Sequence, residues 1–597
     1  MRALFDWLDD RTGYRRILKG ALYESIPGGA RWRYVWGSTL TFALGIQFVT
    51  GLVLWAAYSP NALGAWESVY FIQNHMWGGW LLRGIHHYTA QVTIVLLVLH
   101  LMQVVVDGAY KAPREVNFWF GLGLLFLVLG LSLTGYLLPW DQKGYWATKV
   151  ATSIAAISPV IGPALQKLLV GGADYGHYTL TRFFALHAGL LPAAVVGLVA
   201  GHIYLFRRHG ITAREPEKRE DGFFWPEQVL RDAVACLAVM ATVIGLVLWT
   251  GGAHLGAPAD PTEPYAAARP EWYFMFLFQW LKYFPAGMEV LGAILLPTAV
   301  VGVVALMPVI GKWRLGHRFN VGLVFSLLGG VSLLTWQAYA QDGADEDFGR
   351  AAAAAEESAH RVNELASAPD GIPASGGLGL LRADPATQGP RLFAANCASC
   401  HTYQGHDGLG NEPAEEPTAA DLYQFASREW LEGLMDPDRI ATTEYFGGTD
   451  FARGRMVRYV TRGIAQFDEA EQEELAKVIK ALSAEAVLPS QADLDSADAS
   501  DIEEGLSLIT SESMRCTECH EFRGVVEERR GPTLTGFGSP EWLSTIIQDP
   551  THPDFYGDRN DRMPAYGPDG VLTEEEIRLL VDWLRFDWYV PEGGATP

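Results

Sequence analysis

Two long apolar segments each carry two histidines at nearly the same spacing, and this pattern constrains the fold more than any other feature. His86 and His100 lie in the first segment and His187 and His202 in the second, 14 and 15 residues apart. At about 100° per residue, each pair falls on one face of a helix, separated by ~21 Å along its axis. Segments this apolar are typical of membrane-spanning helices. Two such helices facing each other could hold two bis-histidine haems, one above the other, within a ~30 Å hydrocarbon core.

The alternative is that these histidines are satisfied polar residues within a helix bundle. Polar side chains at membrane depth are costly and usually functional, and matched pairs on two helices are difficult to obtain by chance. We therefore interpret all four as iron ligands. His87 directly follows His86 and points about 100° away from it, which favours a role other than ligation.

The composition divides the chain into a membrane part and an acidic soluble part. Hydrophobic residues make up 49% of the 597 residues, yet the net charge is −23. The acidic tail, together with the lack of a basic stripe, argues against nucleic-acid binding. The predicted fold is all-α, a polytopic helix bundle surrounded by membrane lipid and followed by two small helical domains. About seven spans are predicted, at residues 34–57, 80–106, 118–138, 183–206, 229–249, 290–310 and 319–336.

Lysines and arginines collect in the N-terminal segment and in the loops after the second, fourth and sixth predicted spans. The loop after the fourth span contains Arg207, Arg208, Arg214, Lys218 and Arg219. This bias predicts that the N-terminus and these loops are cytoplasmic. Seven crossings then place the tail on the opposite, periplasmic and positive side of a bacterial inner membrane. The first histidine of each pair would lie near the positive side, and the second near the negative side.

Four glycines are spaced like the histidines. Gly37 and Gly51 lie in the first predicted span and Gly121 and Gly135 in the third, and the members of each pair are 14 residues apart. Because glycine has no side chain, these positions would let a flat macrocycle approach the backbone. Ordinary packing of small residues between helices explains the pattern equally well.

Two CxxCH motifs lie in the acidic tail. They comprise Cys397, Cys400 and His401 in the first motif and Cys516, Cys519 and His520 in the second. In this motif the cysteines form thioethers with haem vinyl groups and the histidine becomes the proximal iron ligand. A zinc or redox site is the alternative for a lone CxxC. The repetition of the full CxxCH motif favours two covalently attached c-type haems.

The tail contains two similar units, predicted at 385–490 and 500–597. FASREWLEGLMDP in the first parallels FGSPEWLSTIIQDP in the second, and both units close with an amphipathic helix. Each unit also has an Arg-Met pair, and their alignment selects Met456 and Met563 as distal iron ligands, whose soft sulfur raises the potential. Met435 remains an alternative to Met456.

A loop between the fifth and sixth predicted spans contains Pro270, Glu271, Trp272 and Tyr273. It should face the positive side, near the first histidine pair. A carboxylate beside aromatic and apolar residues can accept a proton near neutral pH. Such a base suits the oxidation of a quinol, which releases two protons together with two electrons. Taken alone, Glu271 is more often an interfacial structural acid, but its predicted position favours the catalytic role.

Residues 1–340 resemble cytochrome b of the quinol–cytochrome c oxidoreductases, the bc1/b6f superfamily. The resemblance rests on the four histidines and on FDWLDDR, TGYLLPWDQKGYWATKV and PEWYFMFLFQWLKY. The 15-residue histidine spacing and PEWY are similar to the b6f branch, with the cytochrome b and subunit IV portions fused. The tail resembles a dihaem cytochrome c.

The resemblance implies a role for each matching residue. Glu271 of the PEWY motif would accept the proton at the quinol-oxidation site. Residues implied to line that site are Tyr136, Pro139 and Trp140. Arginines implied near haem propionates are Arg83 and Arg114, and Arg207 would lie near the quinone-reduction site. Two positions depart from the b6f pattern. Val35 replaces the cysteine that tethers an extra haem, and Gly20 replaces an aspartate near the reduction site.

The implied activity is that of a proton-translocating quinol–cytochrome c oxidoreductase working by a Q-cycle. Its cofactors would be two haem b, two covalent haem c and the quinol/quinone pair. The chain lacks a Rieske cluster motif, so a partner Rieske iron–sulfur protein is expected, with a soluble cytochrome c or similar acceptor and a homodimeric complex. The alternative is a membrane electron conduit without bifurcation, although a conduit does not need PEWY or PWDQKGYW.

The predicted boundaries divide the chain into six parts. They are an amphipathic surface segment at 1–33, a four-helix dihaem core at 34–215, a three-helix part at 216–340, a linker at 341–384 and the two cytochrome c domains at 385–490 and 500–597.

Overall fold

The chain divides into two compact units. The computed structural model describes residues 2–172, 174–213, 220–560 and 562–591. The membrane unit comprises Met1–Arg361 and Ala374–Leu378, and the tail unit comprises Val362–Pro373 and Gly379–Pro597.

Some of the predicted features lie outside the described residues. They are the basic residues Arg214, Lys218 and Arg219, the predicted boundary at 215 and 216, and the last six positions of the second predicted tail domain, 592–597.

Six helices in the described part of the chain are long and apolar enough to cross a membrane. They are α1 (Trp32–Trp55), α2 (Gly79–Val106), α3 (Glu115–Tyr136), α4 (His177–His209), α5 (Phe224–Thr250) and α7 (Gly316–Ala344). The shorter apolar helix α6 (Leu291–Ala305) occupies the position of the sixth predicted span. A new helical turn, Met307–Ile310, follows with Pro308 near its start, where proline interrupts regular helical bonding. The prediction of about seven spans is therefore close.

Shorter elements connect and border these helices. Further helices of the membrane unit include Arg2–Thr12, Tyr14–Leu22, Ala65–Asn74, Gln142–Ala156, Gly162–Val170 and Met275–Leu281. A small antiparallel sheet pairs Ser25–Ile26 with Gly222–Phe223. Helix Arg2–Thr12 has no buried residue, as a surface segment requires.

Helix pairing within the membrane unit brings the histidine-bearing helices into one bundle. Helix α2 packs against α1 and α5, whereas α4 packs against α3. Leu40, Ala43, Leu96 and Val239 form a buried cluster where α1, α2 and α5 meet. Leu96 lies four residues before His100 on α2, so this buried cluster packs beside the histidine-bearing face.

Much of the predicted linker at 341–384 is helical. Helix α7 extends to Ala344, and helix Glu346–Ala366 follows and contains the alanine-rich sequence AAAAAEESAHRVNELA. Alanine has the highest helix propensity, which accounts for this element. A short helix, Gly377–Arg382, lies near the end of the predicted linker.

Six principal helices build the part of the tail unit that the structure describes. They are α8 (Pro385–Asn396), α9 (Arg428–Leu434), α10 (Glu469–Glu485), α11 (Ala499–Leu508), α12 (Pro540–Gln548) and α13 (Glu574–Leu584). Matching caps start the corresponding helices of the two repeats. Ser427 and Ser539 cap α9 and α12, and capping boxes start α10 at Asp468 and α13 at Thr573.

The two repeats exchange their terminal helices. Helix α8, which opens the first repeat, packs against α13, which closes the second; α10, which closes the first, packs against α11, which opens the second. A glycine allows each close approach, because Gly389 lies against Trp583 and Gly505 lies against Ala481. Side chains from both repeats therefore form one continuous core.

Corresponding residues of the two repeats meet at the centre of the tail unit. The rings of Phe425 and Phe537, which occupy the same place in FASREW and FGSPEW, are 5.4 Å apart. Gly538 lies directly against its counterpart Ala426. Such contacts between equivalent positions indicate a pseudo-twofold axis through this point.

Buried Arg585 connects the ends of the two repeats. Its guanidinium donates hydrogen bonds to the carbonyl oxygens of Ala486 (2.6 Å), Gly538 (2.7 Å) and Val487 (2.9 Å), and the residue is only 3% exposed. Hydrogen bonds from a charged donor in a buried site are among the stronger ones in proteins.

We predict that Arg585→Ala destabilises the tail unit by roughly 2–4 kcal/mol, because it leaves buried carbonyls without donors. The loss would be measured as a lower midpoint of thermal unfolding of the haem-loaded protein, monitored by circular dichroism in the haem absorption band. Arg578→Ala is the matched control within α13, the helix that ends next to Arg585; its pairs with Glu575 and Asp582 lie near the surface and contribute at most about 1 kcal/mol. Equal midpoints for the two variants would contradict the assigned role of Arg585.

Candidate functional site

The four intramembrane histidines face each other in two pairs. The ring centroids of His86 and His187 are 6.3 Å apart with an interplanar angle of 74°. Those of His100 and His202 are 6.4 Å apart, at 79°. The first histidine of α2 thus pairs with the first histidine of α4, and the second with the second, as the sequence spacing predicts.

The gap within each pair fits one metal ion. Metal–imidazole bonds are about 2.0 Å long, so two such bonds and two half-rings span roughly 6 Å, close to both observed separations. Direct hydrogen bonding between the rings would bring them closer together. The geometry therefore fits an iron held between two imidazoles, one for each pair.

Neighbouring helices orient three of the four rings through Nδ1. The Thr50 hydroxyl of α1 lies 2.8 Å from Nδ1 of His86. The carbonyl oxygens of Leu131 and Asn117 on α3 lie 3.1 and 3.0 Å from Nδ1 of His187 and His202. A carbonyl at Nδ1 selects the tautomer that leaves Nε2 free for a metal. Within the described residues, Nδ1 of His100 has no such partner.

The predicted glycines lie where α1 and α3 approach these rings. A Cβ atom at Gly51 or Gly121 would lie 3.3 Å from Cε1 of His86 or His202, and one at Gly135 would lie 2.5 Å from Cε1 of His187. At Gly37 a Cβ atom would meet no described atom within 4 Å. Three of the four glycines thus make room for an imidazole edge, which is a more specific role than general helix packing.

The predicted propionate and quinone-site arginines have protein partners. Arg83 donates to Gln73 Oε1 (2.6 Å) and to the carbonyl oxygen of Ala253 (2.7 Å). Arg114 donates to the carbonyl oxygen of His209 at 2.9 Å. Arg207 pairs with Glu24 at 3.0 Å. Haem or quinone contacts for these three residues remain predictions.

An open cavity adjoins Arg207 at the N-terminal helices. Its volume is about 790 Å³, and its lining residues are Thr12, Gly13, Arg16, Ile17, Gly20 and Arg207. Gly20 is thus next to Arg207, and it also accepts a hydrogen bond from that guanidinium through its carbonyl oxygen. The predicted quinone-reduction residues therefore lie together at one cavity.

The two CxxCH motifs of the tail have matching local geometry. Nδ1 of His401 is 2.7 Å from the Ala420 carbonyl oxygen, and Nδ1 of His520 is 2.8 Å from that of Pro532. Burial lowers the pKa of both histidines, which keeps the rings neutral and available to a metal. All four motif cysteines are free thiols. This donor set fits two covalently attached haems.

The candidate methionine ligands all pack against the core of the tail unit. Met456 and Met563 are partly buried there, and so is the alternative, Met435. Burial alone therefore does not choose among them.

Glu271 of the PEWY loop contacts α2 directly. Its Oε2 accepts a hydrogen bond from Gln91 Nε2 at 3.1 Å, and Gln91 Oε1 accepts one from the Trp272 indole. Lys143 Nζ lies 3.9 Å from Glu271 Oε1. The carboxylate side chain is 14% exposed. Sequence reasoning missed Gln91 and Lys143, because neither belongs to the PEWY motif and both contact Glu271 from far away in the chain.

Tyr273 and Tyr136 lie close to the same carboxylate. Burial raises the pKa of Tyr273, and the charge of Glu271 raises it further, so the phenol stays protonated. Tyr136 is also within electrostatic reach of Glu271 and Tyr273. Its hydroxyl has no hydrogen-bond partner among the described residues. The phenol is thus an available donor or acceptor beside the proposed proton acceptor.

Trp140 shapes the segment that follows Tyr136. It has a positive φ of 51° and is buried in a cluster with Leu137 and Tyr145. Its carbonyl oxygen accepts a hydrogen bond from Ala259 N–H at 2.9 Å, which joins this segment to the loop before PEWY. Pro139 precedes Trp140 in the turn, between α3 and helix Gln142–Ala156.

An apolar pocket opens between helix Gln142–Ala156 and the segment after PEWY. Its volume is about 460 Å³. Trp146 and Ile154 line one side, and Leu281 and Phe284 line the other. Apolar pockets of this size suit hydrophobic ligands. Sequence reasoning did not identify these residues.

Comparison with known proteins agrees with this geometry. The family described as Cytochrome b(N-terminal)/b6/petB matches residues 91–259. The menaquinol:cytochrome c reductase cytochrome b subunit of Geobacillus thermodenitrificans is 40% identical over 220 residues, which cover 36% of this chain and 98% of that protein. The chain belongs to the cytochrome b/b6 family. Cytochrome b6 of a Synechococcus species is 37% identical over 212 residues, covering 36% of this chain and 99% of that protein.

Cytochrome b of Rhodobacter capsulatus extends the similarity further along the membrane unit. It is 33% identical over 299 residues, which cover 48% of this chain and 68% of that protein. In the tail, the Cytochrome c family matches residues 386–483, and the family of cbb3-type cytochrome c oxidase subunit III matches residues 500–584. This cytochrome b is therefore a multi-pass membrane protein with haem b and a tail of cytochrome c domains.

We predict that Gly135→Ala removes about half of the haem b from this cytochrome b, because its new Cβ atom collides with the His187 ring. The ratio of haem b to haem c, from pyridine haemochrome spectra, measures the loss. Gly130→Ala is the matched control on α3, since its Cβ atom would make only an ordinary 3.7 Å contact with Leu191. Alanine has a higher helix propensity than glycine, so weakening of the helix does not explain a loss of haem b. Equal haem ratios in the two variants would exclude the collision.

Proposed function

We propose that this cytochrome b is the redox subunit of a quinol–cytochrome c oxidoreductase that works by a Q-cycle. The observation that carries the proposal is the hydrogen bond that links the candidate proton acceptor, Glu271, to the histidine-bearing helix α2. Glu271 contacts Gln91, which lies five residues after His86 on α2, or ~7.5 Å along the helix axis. The Geobacillus relative is a menaquinol:cytochrome c reductase cytochrome b subunit, which supports the same activity.

Two haem b and two haem c would supply one-electron redox chemistry. The chain's own residues hold these groups in place. The pair His86 and His187 and the pair His100 and His202 would each hold one haem b through two imidazole nitrogens, and the four motif cysteines would form thioether bonds to haem c. Thr50 and the α3 carbonyl oxygens fix the ring orientations, which limits reorganisation of the site.

Glu271 is the proposed acceptor of a quinol proton. Its carboxylate is mostly buried, held by Gln91 and approached by Lys143, so its position is fixed before the substrate arrives. The nearby phenols of Tyr136 and Tyr273 and the indole of Trp272 provide polar groups for the quinol head. The apolar pocket lined by Trp146 and Phe284 suits its hydrophobic part.

The proposed direction of the reaction follows from the charge bias of the loops. Quinol is oxidised at the positive side, and quinone is reduced at the negative side, near the Arg207 cavity. The N-terminus then lies in the cytoplasm of a bacterium and the tail in the periplasm. A partner Rieske protein would take one electron from each quinol, and a soluble cytochrome c would receive electrons from the tail. The complex is proposed to be a homodimer.

We predict that Glu271→Gln lowers quinol-driven cytochrome c reduction by about 10²-fold, because the amide cannot accept a proton. The assay uses the purified complex with its Rieske partner, and haem content is checked in parallel. Glu346→Gln, at an exposed position, is the control and should retain full activity. Full activity in the Glu271 variant would exclude this residue as the proton acceptor. A haem-loaded wild-type complex that did not oxidise quinol would contradict the proposed function.

A further inference from the structure

The exchange of terminal helices places the end of the second repeat over the first CxxCH motif. The Trp583 ring of α13 stacks on Tyr403 with centroids 4.1 Å apart, and it lies 5.5 Å from Phe393. Tyr403 comes two residues after the motif histidine His401, and Phe393 four residues before Cys397. The first motif is therefore enclosed by side chains of both repeats.

The tyrosines that follow the two candidate methionines also contact the CxxCH region of the other repeat. Tyr566 lies three residues after Met563, and its hydroxyl donates to the carbonyl oxygen of Asn396, the residue before the first motif. Tyr459 lies three residues after Met456, and its hydroxyl donates at 2.6 Å to the carbonyl oxygen of Met514, two residues before the second motif. Each methionine segment is thus fastened to the CxxCH motif of the other repeat.

Charged groups also bring the Met456 segment close to the second motif. Arg455, next to Met456, is close enough to Glu518 inside CTECH for its charge to act on that carboxylate. This proximity places the Met456 segment beside the second motif without reference to the tyrosine contacts.

The connection between the repeats explains why the crossing occurs. Helix α10 ends at Glu485 and α11 begins at Ala499, and the segment between them is itself largely helical. Arg428 fastens it through Asp495 (2.7 Å) and Asp498 (2.5 Å). A short connection makes two helices antiparallel neighbours, so α10 packs on α11 and is not available to α8.

From these contacts we infer, on the basis of the proposed c-haem attachments, that the two repeats exchange their distal iron ligands. Met563 of the second repeat binds the haem attached at Cys397 and Cys400, opposite His401. Met456 of the first repeat binds the haem attached at Cys516 and Cys519, opposite His520. Neither repeat completes a haem site alone, so the tail is a single dihaem body.

The test requires the two c haems to be told apart within the full-length protein. Cys397→Ala leaves one thioether bond at the first motif through Cys400. The vinyl group that stays unreacted shifts the absorption of that haem to longer wavelength and marks it. Met563→His and Met456→His are then introduced separately into the marked protein. Histidine keeps the iron six-coordinate but lowers its potential relative to methionine, so folding is preserved while the ligand change is visible.

Wavelength-resolved redox titration should show that Met563→His lowers the potential of the marked haem only. Met456→His should lower the potential of the unmarked haem only. The reverse assignment would establish ligation within each repeat and would overturn the inference. An unchanged potential of both haems in either variant would overturn it as well. If Cys397→Ala loses its haem entirely, the remaining haem must respond to Met456→His and not to Met563→His.

The same samples separate this inference from the proposed function. Haem staining and the mass of the tail show whether both motifs carry covalent haem, and quinol-driven cytochrome c reduction reports the enzyme activity. Missing haem in the wild-type protein would contradict the proposed cofactors. Two attached haems with unexchanged methionines would overturn only the ligand exchange.

Discussion

The membrane unit depends on the pairing of four imidazoles across α2 and α4. A polar ring at membrane depth is stable only when its nitrogens have partners. A threonine of α1 and two carbonyl oxygens of α3 serve Nδ1 of three rings. The ring separations of 6.3 and 6.4 Å leave room for an iron at Nε2. The glycines at which α1 and α3 approach the rings follow from this arrangement, because a larger residue would displace the imidazole. The pairing thus determines how four helices pack.

Proton and electron acceptors are connected through one helix in this account. Gln91 holds Glu271 and lies five residues after His86 on the same helix, a separation of less than two helical turns. The PEWY loop is therefore positioned by α2 as well as by its own backbone. A passive conduit requires haem ligands but no buried carboxylate held by the histidine-bearing helix, so the Glu271–Gln91 contact favours the proposed quinol chemistry.

Local patterns in the sequence predict much of the structure, and long-range contacts account for the rest. The histidine spacing predicts both pairs because helical periodicity is regular, and CxxCH is recognisable without any tertiary information. The Gln91–Glu271 contact joins residues 180 positions apart, so no local pattern indicates it. The helix exchange in the tail was likewise not predictable. Helices α10 and α13 have similar amphipathic patterns, and the connection between the repeats decides which partner each helix meets.

Oxidant-induced reduction of haem b tests the central claim, electron bifurcation, most directly. The purified complex, with its Rieske partner and with the quinone-reduction site blocked by an inhibitor, is supplied with quinol and pulsed with an oxidant that accepts electrons from the c haems. The account predicts that haem b becomes more reduced while haem c becomes oxidised, because each quinol must deliver its two electrons to different acceptors. Oxidation of haem b together with haem c would contradict bifurcation and would identify the protein as a simple electron conduit.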